Sequence, residues 1–176
     1  TNRIGNKMGA ITRGHANLIT TAGKLLSTGV VGGVGKIGQV VQATSTTVTN
    51  IASTSLADTN LSASITPTAT SSKVLVMISQ VSAVDRDNED GWLKYKLVRD
   101  STDIHEWSNI WWIESGGVGA IKNGGLTSLM YVDSPSSTSS VTYKTQGAIS
   151  NTGSNGTARF QQNSKESYIQ LLEVLA

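Results

Sequence analysis

Lys73-Val74-Leu75-Val76-Met77-Ile78-Ser79-Gln80-Val81-Ser82-Ala83-Val84 is the stretch that decides the fold. Its side chains alternate in the manner of a β-strand, and both sides are apolar: Val74, Val76 and Ile78 lie on one face, Leu75, Met77 and Val81 on the other. Such a strand sits centrally in a sandwich or beneath a neighbouring subunit. After it, the acidic segment 85–91 (DRDNEDG) reads as a solvated hairpin tip. Residues 92–98 (WLKYKLV) then put Leu93, Tyr95 and Leu97 on a buried side and Lys94 and Lys96 on a wet one. In 103–114, Trp107, Trp111 and Ile113 share one face, with Ile110 and Trp112 opposite.

Further along, a glycine-rich loop is expected over 116–125, followed by strands at 126–133, 140–149, 157–162 and 167–175. The turns between them are 133–136 (DSPS) and 150–156 (SNTGSNG). Upstream, 37–42 (IGQVVQ) and 46–51 (TTVTNI) are uncharged and β-branched, and 61–65 (LSASI) alternates until Pro67 ends it. About nine or ten strands at roughly 8–12-residue spacing predict an all-β fold, an antiparallel β-sandwich of jelly-roll type. That domain occupies 37–176, behind an irregular or partly helical N-terminal arm over 1–36.

The length of 176 residues fits one domain plus an arm. The absence of cysteine removes disulfides and thiolate metal sites. No apolar run reaches the ~18 residues of a membrane span, and the beginning lacks the compact apolar core of a signal peptide. The arm is dotted with Gly5, Gly9, Gly14, Gly23, Gly29, Gly32, Gly33 and Gly35, which suits an adaptable strap. One short helix remains open between Thr12 and Leu26, where Leu18, Ile19, Ala22, Leu25 and Leu26 fall at helical spacing. Charge is uneven: Arg3, Lys7, Arg13, Lys24 and Lys36 precede the first acid, Asp58. A cationic arm on a slightly acidic body is expected to dock to an acidic surface.

Motifs of chemistry are scarce. Gly33-Val34-Gly35-Lys36-Ile37-Gly38 satisfies G-x-G-x-x-G, but a β-rich run follows where the dinucleotide fold needs a helix. A P-loop would need glycine at Val30 and a hydroxyl at Ile37. Asp85, Asp87, Glu89 and Asp90 resemble a calcium loop, yet Asp90 and Lys96 stand where that loop needs glycine and an acid. His15 and His105 sit in no catalytic spacing. Paired carboxylates, for example Asp103 or Glu106 with Glu114, would suit glycoside hydrolysis, but acids on strands are usually solvated-face residues. No catalytic residue, metal site or cofactor is therefore expected. The basic arm lacks the Arg/Lys runs and interleaved aromatics of a nucleic-acid tract, so neither nucleic acid nor membrane is an expected partner.

Tryptophan is concentrated instead. Trp92, Trp107, Trp111 and Trp112 fall within 21 residues of a chain with a single phenylalanine. With tryptophans on both faces of one strand, one face is expected to fill the sandwich and the other to pack on another subunit; Trp107, Trp111 and Trp112 are thus candidates for core or subunit interface, or for stacking on sugar rings.

Several phrases carry a family likeness: Gly35-Lys36-Ile37-Gly38-Gln39-Val40-Val41-Gln42, Leu61-Ser62-Ala63-Ser64-Ile65-Thr66-Pro67, and Ser71-Ser72-Lys73-Val74-Leu75-Val76. Leu97-Val98-Arg99-Asp100-Ser101-Thr102, Tyr131-Val132-Asp133-Ser134-Pro135, Thr142-Tyr143-Lys144-Thr145-Gln146 and Ile169-Gln170-Leu171-Leu172-Glu173-Val174 continue it. Over about 35–176 the chain resembles small β-sandwich virion proteins and fibre modules of tailed bacteriophages, notably phages of aquatic bacteria such as cyanobacteria. The resemblance implies a non-enzymatic, homotrimeric particle component on the outer surface of a capsid or on a tail. A trimeric capsid decoration or cement protein is the leading expectation. Arg3, Lys7, Arg13, Leu18, Lys24 and Leu25 of the arm would then contact the major capsid protein or another virion protein. The alternative is a tail-fibre or receptor-binding module that contacts host glycans.

Overall fold

The computed structural model describes residues 36–87, 89–114, 119–151 and 156–175. The arm with its candidate helix, and Arg3, Lys7, Arg13, Leu18, Lys24 and Leu25, lie outside the described residues. Ten strands follow in order: β1 (Lys36–Ser45), β2 (Thr49–Ile51), β3 (Ala57–Ile65), β4 (Lys73–Asp87) and β5 (Gly91–Arg99). The second half comprises β6 (Thr102–Ile113), β7 (Ala120–Asp133), β8 (Val141–Ile149), β9 (Thr157–Phe160) and β10 (Ser167–Leu175).

Their pairing is that of one long hairpin rolled up. The tip is Asp100-Ser101, with Arg99 opposite Thr102. Asp100 takes φ 53, the left-handed first position of a primed two-residue turn. Outward from the tip, β5 pairs β6, β4 pairs β7, β3 pairs β8, and β1 and β2 pair β10 and β9, all antiparallel. Rolling distributes these pairs into two sheets. One holds β1, β10, β4, β9 and β2 with β7 on the far side of β4, and the other runs β3-β8-β5-β6. When β1 and β2 are taken as one interrupted strand and β9 and β10 as another, this is the eight-strand jelly roll.

The core lies between the layers. Val74, Val76 and Ile78 of β4 face Leu93, Tyr95 and Leu97 of β5 and Tyr143 of β8 across it, all buried. Each such side chain contributes about 1.5–3 kcal/mol by leaving water. The alternation expected for β4 and β5 holds residue for residue.

One polar cluster crosses this core. Tyr95 Oη donates to Gln80 Oε1, which also accepts from Thr145 Oγ1 (3.0 Å), while Gln80 Nε2 donates to Thr59 Oγ1 (3.0 Å). Burial pushes the Tyr95 phenol far above its ordinary range and keeps it a donor.

Three expectations change. Residues 120–125 are strand, not loop, because β7 pairs β4 all the way from Asp133↔Val74 to Ala120↔Asp87. The glycines there permit close approach: a Cβ at Gly124 would stand 2.3 Å from that of Ala83. Segment 85–91 is only in part a solvated tip, since β4 runs on to Asp87 and both Asp85 and Arg86 are buried. Distant partners, together with nearby Glu89, hold them there. Asp85 pairs with Arg159 (2.5 Å) and Lys122 (3.4 Å), and Arg86 with Glu89 and the Asn151 carbonyl (2.6 Å each). Finally, Ile110 turns inward and packs on the core rather than facing away from it, because β6 is bulged.

Buried Glu173 ties the edge of the larger sheet to the link between β3 and β4. Its carboxylate accepts from Gln39 Nε2 (2.8 Å), the Thr68 amide (2.6 Å) and Thr68 Oγ1 (2.7 Å). Burial alone would raise its pKa, but these donors outweigh that and hold it near 2, against an ordinary 4.5. A depressed folded-state pKa gives stability that is present above pH 4.5 and lost as pH falls toward 2. The urea midpoint of Glu173→Gln should therefore lie below that of the native chain at pH 7, by about 2 kcal/mol in stability. The two should converge between pH 4.5 and 2. A constant gap across that range would mean that the carboxylate's charge is not what the fold uses.

Candidate interaction surfaces

A strand that buries one apolar face leaves its other face to be accounted for. On the outside of the six-stranded sheet, Val40, Leu172, Leu75 and Val132 are successive register partners across β1, β10, β4 and β7. The next row is Gln42, Gln170, Met77 and Met130, and farther along Val81 stands opposite Leu126. These side chains point outward because their neighbours Val74, Val76, Leu129, Ile169 and Leu171 point in. Met130 is 66% exposed, Val40 59%, Leu126 55% and Val132 54%. A depression of about 500 Å³ opens within this face, lined among others by Met77, Met130, Tyr168 and Gln170.

The opposite outer face is polar. There Lys144 pairs with Asp58 (2.8 Å), and Lys96 with Asp103 (2.7 Å) and Glu106 (3.7 Å). The hydrogen bond that Lys96 donates to Asp103 leads the causes that raise its pKa. Asp103 and Glu106 thus share one ammonium on an exposed surface, and among the described residues no group of three His, Asp or Glu is placed to hold a metal ion.

The tryptophans divide between inside and outside. Trp107 lies at the edge where β6 meets β7, edge-on to His105 (4.6 Å between ring centres), and His105 stacks on Tyr131 (5.0 Å). Trp111 spans the sheets, and its Nε1 donates to Thr127 Oγ1 on β7 (2.6 Å). Both are partly buried and pack against the core. Trp112 is 59% exposed on the polar side, with Trp92 as its register partner. Sequence alternation found the apolar outer side of β4. It missed Leu126, Met130 and Val132, whose strand is apolar on both sides and so carries no sign of which side is covered.

No family model and no curated protein matches the chain. Solved structures that resemble it include the infectious bursal disease virus VP2 subviral particle, at 12% identity and a TM-score of 0.36. That match covers 80% of this chain, which spans about two fifths (39%) of the other.

Proposed function

We propose that this chain is a non-enzymatic structural protein of a virion, a homotrimer that decorates or cements a capsid through residues 1–36. The observation that carries the proposal is the apolar row Val40–Leu172–Leu75–Val132 on the outside of an otherwise completed sandwich. Soluble monomers rarely leave such a face to water, and a closed cyclic oligomer buries it without adding a subunit type. The likeness of 35–176 to phage virion proteins supplies the setting. The five arm cations supply a complement for an acidic shell, and three arms on one knob multiply a weak contact by about 10²–10⁴. An arm that binds only assembled shell favours that state by mass action.

Sedimentation velocity of the intact chain should give three times 18.5 kDa. Co-sedimentation with emptied capsids should be lost when residues 1–35 are removed, leaving Lys36 in place opposite Leu175. It should weaken with added salt, as contacts between exposed charges do. A stable monomer would overturn the trimer, and particle binding unaffected by removal of the arm would overturn the attachment. Binding to isolated tails alone would transfer the protein to a fibre.

A further inference from the structure

Between Trp107 and Trp112, strand β6 carries two residues more than its partner needs. From Tyr95↔Trp107 to Leu93↔Ile110, β5 advances two positions while β6 advances three. From there to Trp92↔Trp112, β5 advances one and β6 two. The bulged stretch contains Asn109 at φ 60 and Trp111 at φ 49, and a bulky aromatic in the left-handed region costs about 1–3 kcal/mol. Without the two extra residues Trp112 would stand opposite Asp90, past the start of β5 at Gly91. With them it stands beside Trp92. The strain thus brings together two tryptophans on the outer face of the four-stranded sheet, among polar side chains such as Lys96, Lys144, Asp58 and Gln146.

The backbone beneath this pair is braced on both sides. The Trp92 amide donates to Ser150 Oγ (3.0 Å), the Trp92 carbonyl accepts from the Ser150 amide (2.9 Å), and Asn123 Nδ2 donates to the Trp112 carbonyl (3.0 Å). Trp92, Trp112, Asp90 and Asn109 together line an open depression of about 280 Å³. That is just below the range of about 300–1,000 Å³ for drug-sized ligands, room for little more than one ring.

We infer that Trp92, Trp112, Asn109 and Asp90 form a binding site for a neutral hexopyranose of a surface polysaccharide. Indole faces receive the apolar C–H side of a pyranose, while a carboxamide offers both donors and acceptors to its hydroxyls and a carboxylate accepts from them. None of the four lining residues is cationic, so the lining offers no counter-charge to a sugar that bears its own carboxylate or sulfate. The site is separate from the apolar face of the other sheet, and so it leaves that face free for self-association.

The test is a printed array of neutral and acidic oligosaccharides of glucose, galactose and mannose, probed with the intact chain and with variants. Native protein should bind neutral spots, Trp112→Ala should bind them about tenfold more weakly, and Trp112→Phe should keep most of the binding. Asn109→Gly retains the left-handed backbone and removes only the amide, so its binding should fall with no drop in melting temperature. Absence of neutral-glycan binding, preference for acidic spots, or binding unchanged in Trp112→Ala would each overturn the site. A change of native mass in Trp112→Ala would overturn it in favour of a protein contact.

Discussion

Placing glutamate at both Met130 and Val132 is expected to yield a folded monomer. Both side chains are more than half exposed in the single chain, so the isolated domain loses little when they become charged and its melting temperature should stay within a few degrees. Assembly is another matter. Each copy would bring two carboxylates into a dry apolar contact, and after relaxation each buried ion still costs several kcal/mol. Two such terms per subunit exceed what a standard interface has to spare, and the dissociation constant should rise by about a thousandfold or more. Sedimentation velocity at micromolar concentration would read this as loss of the trimer boundary. Charged variants on the polar sheet, such as Ser64→Glu, should leave the native mass unchanged. If the double variant sediments like the native chain, the face buries nothing and oligomerisation must use another surface.

Gly147→Ala should strongly destabilise the domain by a single methyl group. A Cβ there would stand 2.2 Å from Phe160 Cζ and 2.7 Å from Cε2, far inside van der Waals contact. Phe160 is fully buried and packs its ring against Tyr95 at 81°, 5.6 Å between centres. Tyr95 cannot give way, because its hydroxyl is held by Gln80. Overpacking of this kind costs about 1–3 kcal/mol and sometimes more, and here the upper end is expected. Urea unfolding would measure it. Phe160→Leu in the same chain should recover part of the loss, whereas Phe160→Leu alone should destabilise, so the two changes should be strongly non-additive. Additive losses would mean that the clash is relieved by backbone movement rather than by the ring.

The contrast between what the chain announces and what it conceals is physical. Strands β4 and β5 were legible because alternation is a local property, set by the pleat and independent of partners. The jelly roll followed from strand count and spacing. Segment 85–91 misled because acids near a glycine look solvated, whereas Asp85 and Arg86 are held by Arg159, Lys122 and Asn151, all distant in sequence. Residues 120–125 misled because the same glycines that mark a loop also let two strands approach. The bulges of β6 were invisible, since no residue type demands them, and with them went the inward turn of Ile110 and the pairing of Trp92 with Trp112. Of the three tryptophans singled out for an interface or a glycan, Trp112 is the exposed one, and its partner Trp92 was found only in three dimensions.

The rolled-hairpin pairing also sets an order of events in synthesis. Lys36 pairs with Leu175, so the first strand waits for the tenth, whose residues are made 139 positions later. At about 5–20 residues per second that wait lasts on the order of ten seconds or more. Meanwhile the tip hairpin β5–β6 can form at once, and β4–β7 and β3–β8 can add to it in turn. Closure therefore proceeds from the middle of the chain outward, and the edge that adjoins the arm is sealed only when β10 has left the ribosome.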